Sequence, residues 1–146
     1  MFETILLGTD GSETAATALD TAIAIARQNR STLHVVNAYR SSSGSGPVVL
    51  VGAQVPLDDA LEHAVGAEAS ERLLAKVAET ASSAGVECET HSVNAAPGDA
   101  VIDLATELAA DLIIVGNKGM DRRVFGSVPN SIAHKAPCDL LVVKTT

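Results

Sequence analysis

The fold is decided by the stretch Leu112-Ile113-Ile114-Val115-Gly116-Asn117-Lys118-Gly119-Met120-Asp121-Arg122-Arg123-Val124-Phe125-Gly126-Ser127. Its first four residues are all apolar, which predicts a strand that is buried on both faces. A basic segment bounded by Gly116 and Gly126 follows, and Ser127 is placed to begin a helix. Backbone N–H groups in a glycine loop and at a helix N-terminus attract anions, so this order of parts favours phosphate binding.

The composition predicts a single domain, residues 1–146, in the cytoplasm. The chain is long enough to bury a substantial core, and because 47% of it is hydrophobic but only 2% aromatic, that core should consist of Val, Ile, Leu and Ala. No basic region precedes the first apolar run, and no apolar run is long enough to span a bilayer. Cys88 and Cys138 lack metal-like spacing and are predicted to be buried thiols.

The charge distribution separates one segment from the rest of the chain. A formal net charge of −8 disfavours binding to nucleic acid or to an anionic membrane. Against this background Lys118, Arg122 and Arg123 form a local positive cluster, diluted only by Asp121. The cluster strengthens the phosphate hypothesis, while a solvated loop remains an alternative explanation for Arg122 or Arg123 individually.

Apolar runs and amphipathic segments alternate along the chain. Strands are predicted at 4–9, 33–38, 86–93, 112–115 and 140–143, with helices between them. Right-handed crossovers then give an α/β fold: an open five-stranded parallel sheet, order 3-2-1-4-5, with helices on both faces. The order reverses between the first and fourth strands, where such sheets bind ligands outside the carboxyl ends of the strands. The loops Gly8–Ser12 and Gly116–Ser127 should converge there.

Two regions depart from this simple alternation. Residues from about 40 to 57 include a Ser/Gly-rich run and are predicted to form a flexible excursion, with 48–51 as a short extended piece. A long helix is predicted from Asp58 towards Ser83. The residues expected along one face of this helix are Leu61, Val65, Ala69, Leu73, Val77 and Ala81.

Both glycine-marked loops also have a purely structural explanation. The glycines around 116–126 suit a strand-to-helix turn, and Ser127 suits an N-cap. Asp10 could accept hydrogen bonds from a ribose hydroxyl or an adenine amine, or it could help Ser12 to cap the first helix. The sequence contains neither a P-loop nor the dinucleotide-binding glycine fingerprint.

The sequence shows no recognisable catalytic or metal-binding constellation. Ser12 and Ser127 lack a paired histidine and carboxylate. The histidines lie on different predicted elements and predict no ligand cluster; they are His34, His63, His91 and His134. Slow hydrolysis or phosphotransfer of a bound phosphate compound is the most that we would expect as an activity.

Four blocks, in this order, make the chain resemble the universal stress proteins over nearly its full length. They are Ile5-Leu6-Leu7-Gly8-Thr9-Asp10-Gly11-Ser12, Ala110-Asp111-Leu112-Ile113-Ile114-Val115-Gly116, Gly126-Ser127-Val128 and Ala136-Pro137-Cys138-Asp139-Leu140-Leu141-Val142-Val143. The resemblance implies the same five-stranded sheet and a homodimer formed through the last strand, Leu140, Leu141, Val142 and Val143. It also implies an adenine nucleotide between strands 1 and 4: ATP in one branch of the family, and cyclic AMP in some relatives.

The nucleotide-binding pattern of that family implies a role for individual residues. Asp10 would make the polar contact to the adenosine, beside Gly8 and Thr9, and Ala38 would meet the adenine through its backbone. Glycines and Ser127 would hold the phosphates, which would bring in Mg²⁺. With the positive cluster and Asn117 added to the family's positions, the residues expected on this side are Val115, Gly116, Asn117, Lys118, Gly119, Arg122, Arg123, Gly126, Ser127 and Val128.

Two departures from the family pattern bear on this site. The spacer between the second and third glycines, Met120–Phe125, is six residues and shorter than is usual in nucleotide-binding members. A glycine usually found two residues before Pro97 is Ala95 here. Neither change removes a residue of the phosphate cradle. A shorter spacer either lies too close for a full triphosphate or simply lacks the outer tip of the loop.

The sequence thus predicts a stress-response sensor or regulator that binds an adenine nucleotide, with ATP favoured over AMP or cyclic AMP. One alternative is a member specific for cyclic AMP, which the short spacer would suit. The other is a nucleotide-free, dimeric interaction module that engages partners through its dimer surface and the 40–57 excursion.

Overall fold

A parallel sheet forms the centre of the computed structural model, which describes residues 1–40, 48–50, 53–55, 59–117 and 127–144. In chain order the strands are β1 (Thr4–Gly8), β2 (Thr32–Tyr39), β3 (Val48–Leu50), β4 (Ala53–Val55), β5 (Cys88–Asn94), β6 (Leu112–Gly116) and β7 (Asp139–Val143). The central sheet has the order β5-β2-β1-β6-β7, all parallel. This is the predicted order 3-2-1-4-5 of its five strands, so the predicted α/β fold class is confirmed.

Strand β1 occupies the middle of the sheet and is buried on both faces. Ile5, Leu6 and Leu7 are all 0% exposed, as expected for an uninterrupted apolar run in a central parallel strand. Leu7 lies opposite Val35 of β2 on one side and opposite Ile114 of β6 on the other. The first strand of the chain is therefore the central strand of the sheet, and later strands lie on both sides of it.

Helices cover both faces of the sheet and divide the core into two layers. They are α1 (Glu13–Asn29), α2 (Asp59–Ser83), α3 (Pro97–Leu108) and α4 (Ser127–Lys135). Apolar residues of α1 and α2 pack against one face, which includes Leu7 and Val35. Those of α3 and α4 pack against the other, which includes Leu6 and Val36. Among the described helices none has both the length and the apolar character that crossing a membrane requires.

The buried face of α2 differs from the predicted one. Ala69 is exposed, whereas Ser70 and Leu74 are buried and Leu73 is only half-buried. Ser70 is buried because its hydroxyl accepts a hydrogen bond from the Ser92 hydroxyl of β5, at 2.8 Å. Because a buried serine is not counted as apolar, a pattern of apolar residues alone places the buried face of α2 one residue away from its true position at 69 and 73. The side chains of Leu61 and Val65 lie outside the part of α2 whose side chains are described.

The excursion predicted at 40–57 contains two short paired strands. Strands β3 and β4 pair antiparallel, with Val48 opposite Val55 and Leu50 opposite Ala53. The predicted extended piece is confirmed for Val48–Leu50, and its partner strand was not predicted. The prediction of flexibility falls largely on residues 41–47, 51–52 and 56–58, which lie outside the described residues.

The carboxylate of Asp111 joins the beginnings of β1 and β6. Its Oδ2 accepts hydrogen bonds from the backbone N–H groups of Thr4 and Glu3, both at 2.9 Å. In return the N–H of Asp111 donates to the carbonyl of Thr4 at 2.8 Å. The hydrogen bond from Thr4, followed by that from Glu3, lowers the pKa of Asp111 below its ordinary value, because both favour the charged form.

Replacing Asp111 by Asn should lower the free energy of unfolding at neutral pH but not in strong acid. Because the pKa is lower in the folded than in the unfolded chain, the carboxylate stabilises the fold above its unfolded-state pKa. That contribution is lost as the pH falls through the folded-state pKa. Urea unfolding from about pH 7 to about pH 2 measures the difference, with Asp103→Asn, an exposed position on α3, as the control. A deficit that stays constant across this range would contradict the assignment.

Candidate functional site

A cavity of about 220 Å³ lies at the carboxyl-terminal edge of the sheet, where the strand order reverses between β1 and β6. Ends of strands and first turns of helices line it together. The lining residues are Gly8, Thr9, Asp10, Ser12, Ala15, Val36, Ala38, Pro97, Val101, Val115, Gly116 and Pro129. Small-molecule sites usually measure about 300–1,000 Å³, so this space suits one part of a ligand, such as a nucleoside.

The walls of the cavity are mostly apolar and closely spaced. Val36 and Val115 come from strands, and Val101 comes from α3 on the same face of the sheet. A Cβ atom on Gly8 would lie only 3.1 Å from Cγ2 of Val101 and 3.5 Å from Cγ1 of Val115. The glycine thus lets both valines approach β1, which leaves an apolar wall suited to a flat ring.

Three helices begin at this cavity. It is lined by Ser12 and Ala15 at the start of α1, by Pro97 at the start of α3 and by Pro129 in the first turn of α4. Helix N-termini carry partial positive charge and N–H groups that have no partner within the helix. The position therefore favours an anionic group, although Asp10 is the only ionisable side chain among the described lining residues.

The backbone of Ala38 faces the cavity side of β2. The odd-numbered residues of β2 bond towards β5, as when Leu33 donates to Glu87 and Tyr39 accepts from Ala95. The backbone groups of even-numbered residues therefore face β1. The last backbone hydrogen bond between the two chains on this side runs from the N–H of Thr9, just after β1, to the carbonyl of Val36, at 3.0 Å.

The next acceptor in this ladder is already engaged. The carbonyl of Thr9 accepts from the side-chain amide of Asn37 at 2.8 Å. Ala38, the next even-numbered residue of β2, lines the cavity together with Thr9, and its N–H and C=O lie on the β1 side of the strand.

Asp10 performs the structural role that the sequence offered as the alternative to ligand binding. Its Oδ1 accepts from the N–H of Ser12 at 2.9 Å and from the Ser12 hydroxyl at 2.6 Å. Ser12 in turn caps α1, because its Oγ accepts from the N–H of Ala15 at 3.2 Å. Asp10 also lines the cavity and is exposed, so the capping network fixes the carboxylate at the cavity mouth.

The structure brings together the predicted residues of the first, second and fourth strands of the sheet. Gly8, Thr9, Asp10, Ala38, Val115 and Gly116 all line the one cavity. Asn117 directly follows β6 without lining it, and α4 begins at Ser127 as predicted, with Val128 in its first turn. The remaining predicted residues lie outside the described ones: Lys118, Gly119, Arg122, Arg123 and Gly126.

Several lining residues were not predicted. Val36 and Val101 look in the sequence like ordinary core residues, and their position becomes evident only from the register of β2 and the phase of α3. Pro97 and Pro129 could have been found, because each lies in the first turn of a helix that follows a strand. In a parallel sheet all such helices begin at the carboxyl edge.

Two of the histidines, for which the sequence predicts no ligand cluster, lie next to each other. His34 on β2 and His91 on β5 lie on adjacent strands, and their Nδ1 and Nε2 atoms are 3.0 Å apart. Glu89 lies beside them, with its Oε2 3.5 Å from Nδ1 of His34. Burial, and then the nearby His34, lower the pKa of His91. The pair is separated by 57 residues along the chain, so spacing gave no signal of it.

Both cysteines are free and half-buried rather than buried. Burial, followed by the charge of a neighbouring carboxylate, raises the pKa of each thiol; the neighbours are Glu89 for Cys88 and Asp139 for Cys138. Because the thiolate is the reactive form, this shift makes both thiols weak nucleophiles at neutral pH.

Comparison with known proteins gives consistent results over the whole chain. The family model described as "Universal stress protein family" matches residues 1–144. A universal stress protein of Mycobacterium tuberculosis (strain H37Rv) is 32% identical over 149 aligned positions, covering 99% of this chain and 98% of that protein.

Solved structures of universal stress proteins also resemble the chain over nearly its full length. A crystal structure of a universal stress protein in complex with cAMP has a TM-score of 0.77 at 30% identity, covering 99% of this chain and 98% of the other. The structure of a universal stress protein from Archaeoglobus fulgidus in complex with dAMP has a TM-score of 0.70 at 22% identity, with 97% and 98% covered. The second likeness concerns the fold alone.

The turn between β1 and α1 requires the glycine at position 11. Its φ is +78°, and a Cβ there would lie 2.9 Å from Cδ2 of Leu73 on α2. Gly11→Ala should cost about 1–3 kcal/mol of stability, the usual cost of this backbone region for a residue other than glycine. Thermal or urea unfolding measures the loss.

Gly85→Ala is the matched control, because its φ is +76° and nothing lies within 4 Å of the added Cβ. It should show the backbone strain alone. In a Leu73→Ala background the added Cβ of Gly11→Ala no longer meets the Leu73 side chain. Any stability that Gly11→Ala loses beyond the loss seen for Gly85→Ala should therefore disappear in that background. A Gly11→Ala protein as stable as the wild type would refute this reading of the turn.

Proposed function

This chain belongs to the universal stress protein family, and on that premise we propose that its cavity binds an adenine nucleotide, with ATP as the ligand. The protein would thereby act as a nucleotide-dependent regulator of a stress response in the cytoplasm. The observation that carries the proposal is the cavity itself. It joins an apolar slot, a fixed carboxylate and the N-termini of three helices at the point where the strand order reverses.

Each part of an adenine nucleotide has a counterpart among the described residues. The adenine would lie between Val36, Val101 and Val115 and meet the backbone of Ala38. The ribose hydroxyls would donate to Asp10, which the capping network with Ser12 holds in place. The phosphates would extend from Gly116 towards the first turn of α4, where the helix N-terminus stabilises negative charge.

A Mg²⁺ ion fits this arrangement only as a companion of the phosphates. Asp10 is the only carboxylate among the described lining residues, and its Oδ1 already accepts two hydrogen bonds from Ser12. Mg²⁺ commonly takes one or two protein carboxylates and fills its remaining positions with phosphate oxygens and water. Among the described lining residues Asp10, the partner proposed for the ribose, is therefore the only carboxylate that could also reach the ion; the phosphates and water would supply its other ligands, and the ion would supply charge neutralisation.

Cyclic AMP is the second candidate ligand, and a specific observation favours it. The solved universal stress protein that is 30% identical to this chain holds cAMP, and the six-residue segment Met120–Phe125 leaves a short span for a phosphate chain. The two ligands share adenosine and differ in their phosphates. Residues 118–126 therefore decide between them, while the described cavity serves both.

Calorimetric titration of the full chain with ATP, ADP, AMP and cyclic AMP, with Mg²⁺ present, tests the proposal. We expect saturable binding of one nucleotide per chain, with ATP the tightest. Tighter binding of cyclic AMP would replace ATP by the second candidate. If none of the four binds, the nucleotide proposal fails in favour of a nucleotide-free interaction module. Mass spectrometry of the untreated protein offers an independent check, because a bound nucleotide would copurify.

Replacing Gly116 by Leu should weaken nucleotide binding at least about tenfold, a loss of about 1.4 kcal/mol. The residue ends β6 and lines the cavity, so a side chain there would occupy space next to the phosphates. Gly85→Ala is the control, since Gly85 follows α2 at the opposite edge of the sheet and does not line the cavity. Unchanged affinity in a folded Gly116→Leu protein would place the ligand elsewhere.

The same family membership leads us to propose a homodimer through β7. This strand ends the sheet, and its residues Leu140, Leu141, Val142 and Val143 are all half-buried. An edge strand with apolar side chains can pair with a second copy. Size-exclusion chromatography with light scattering should give the wild-type protein twice the mass of one chain. The Val142→Lys protein should have a mass closer to that of one chain. A single-chain mass for the wild type would contradict the proposed dimer.

A further inference from the structure

Three metal-ligating side chains converge where β2 meets the edge strand β5. His34 lies directly opposite Glu89 in the register of the two strands, and Val36 lies opposite His91. Side chains alternate along a strand, so His34 and Val36 share a face of β2, while Glu89, His91 and Val93 share a face of β5. Val36 and Val93 both pack in the layer beneath α3. All three ligating residues thus lie on the α3 side of the sheet, and none of them lines the nucleotide cavity.

The donor atoms are already within the span of one coordination sphere. Nδ1 of His34 lies 3.0 Å from Nε2 of His91 and 3.5 Å from Oε2 of Glu89, and the three donor atoms lie within 4.8 Å of one another. Two imidazole nitrogens bound to one tetrahedral ion, at bond lengths of about 2.0–2.1 Å, are about 3.3 Å apart. In the bound form both rings would turn so that their lone pairs point at the shared ion instead of at each other.

The exposure of the three side chains increases from His34 to His91 to Glu89, as expected for a metal site that is open to solvent on one side. His34 is 7% exposed, His91 is half-buried, and the Glu89 side chain is 59% exposed. The innermost ligand is held by packing, and the outermost faces solvent, so an ion can enter and keep a water molecule. The carboxylate of Glu107 on α3 is close enough to act electrostatically on His91, and negative charge close by favours a dication.

We propose that His34, His91 and Glu89 bind a divalent transition-metal cation of the Zn²⁺ class, with water completing a four-coordinate shell. Two imidazoles and one carboxylate form the donor set of zinc sites that have an open position. Mg²⁺ and Ca²⁺ prefer an all-oxygen shell, which these residues do not offer. Because the ligands come from two strands, the ion would cross-link the edge strand β5 to β2 and stabilise the folded chain by binding to it.

The simpler reading of the pair is a hydrogen bond between two neutral imidazoles. The rings are nearly parallel, with an interplanar angle of 25° and centroids 5.2 Å apart, which suits one N–H donating to the other nitrogen. That reading gives Glu89 no part beyond a contact with His34, and it predicts no saturable response to a metal ion. The two readings therefore differ in a measurable quantity.

Calorimetry with ZnCl2, on untagged and chelator-treated full chain without nucleotide, tests the proposal. We expect one ion per chain, and a rise in the thermal unfolding temperature on adding Zn²⁺. Loss of a side chain that only hydrogen-bonds to a metal ligand commonly weakens metal affinity about 10–100-fold. His91→Asn removes a proposed ligand itself and should therefore weaken Zn²⁺ affinity by at least this factor. Glu89→Gln, at an exposed position, should weaken binding in the same direction.

His134→Asn is the matched control, because His134 is exposed on α4 and should leave both the affinity and the thermal shift unchanged. Absorption of the Co²⁺-substituted protein should report tetrahedral coordination that His91→Asn abolishes. No saturable binding by the wild type would overturn the proposal. So would equal affinity in His91→Asn or, if that protein does not fold, equal affinity in Glu89→Gln. Omitting nucleotide makes this outcome independent of the proposed nucleotide site.

Discussion

The pairing of β1 with a strand on each side is the constraint on which the structure depends. From β1 the chain adds β2 and β5 in one direction, with α1 and α2 on one face of the sheet, and then adds β6 and β7 in the other direction, with α3 and α4 on the opposite face. Right-handed crossovers require this exchange of faces when the direction reverses. The connections leaving β1 and β6 therefore diverge, and the cavity is the gap between them.

The electrostatics of the cavity follow from the same arrangement. The chain carries a net charge of −8, and among its described lining residues the only ionisable side chain is itself acidic. An anion at this edge would be held there by backbone dipoles and helix N-termini, with any cationic side chains supplied from 118–123. Helix termini hold an anion at short range, whereas the acidic surface repels it at longer range.

The features that could be predicted from the sequence are those that depend on residues near one another in the chain. The run 112–115 revealed a buried strand, and Gly8, Asp10 and Gly116 could be placed at one edge because topology brings strand ends together. The cluster of His34, His91 and Glu89 could not be predicted, because these residues meet only through the register of β2 and β5. The buried Ser70 could not be predicted either, since its burial depends on a hydroxyl partner on another element.

An amide NMR titration of the isotopically labelled chain with ATP and with cyclic AMP would locate a nucleotide site directly. If the cavity between β1 and β6 is the nucleotide site, the amides of Gly8, Thr9, Ala38 and Gly116 should shift in a saturable way with at least one of the two ligands. Amides at the opposite edge of the sheet, such as those of Gly85 and Asp111, should stay in place. Saturable shifts confined to other residues, or no shifts with either ligand, would contradict the account.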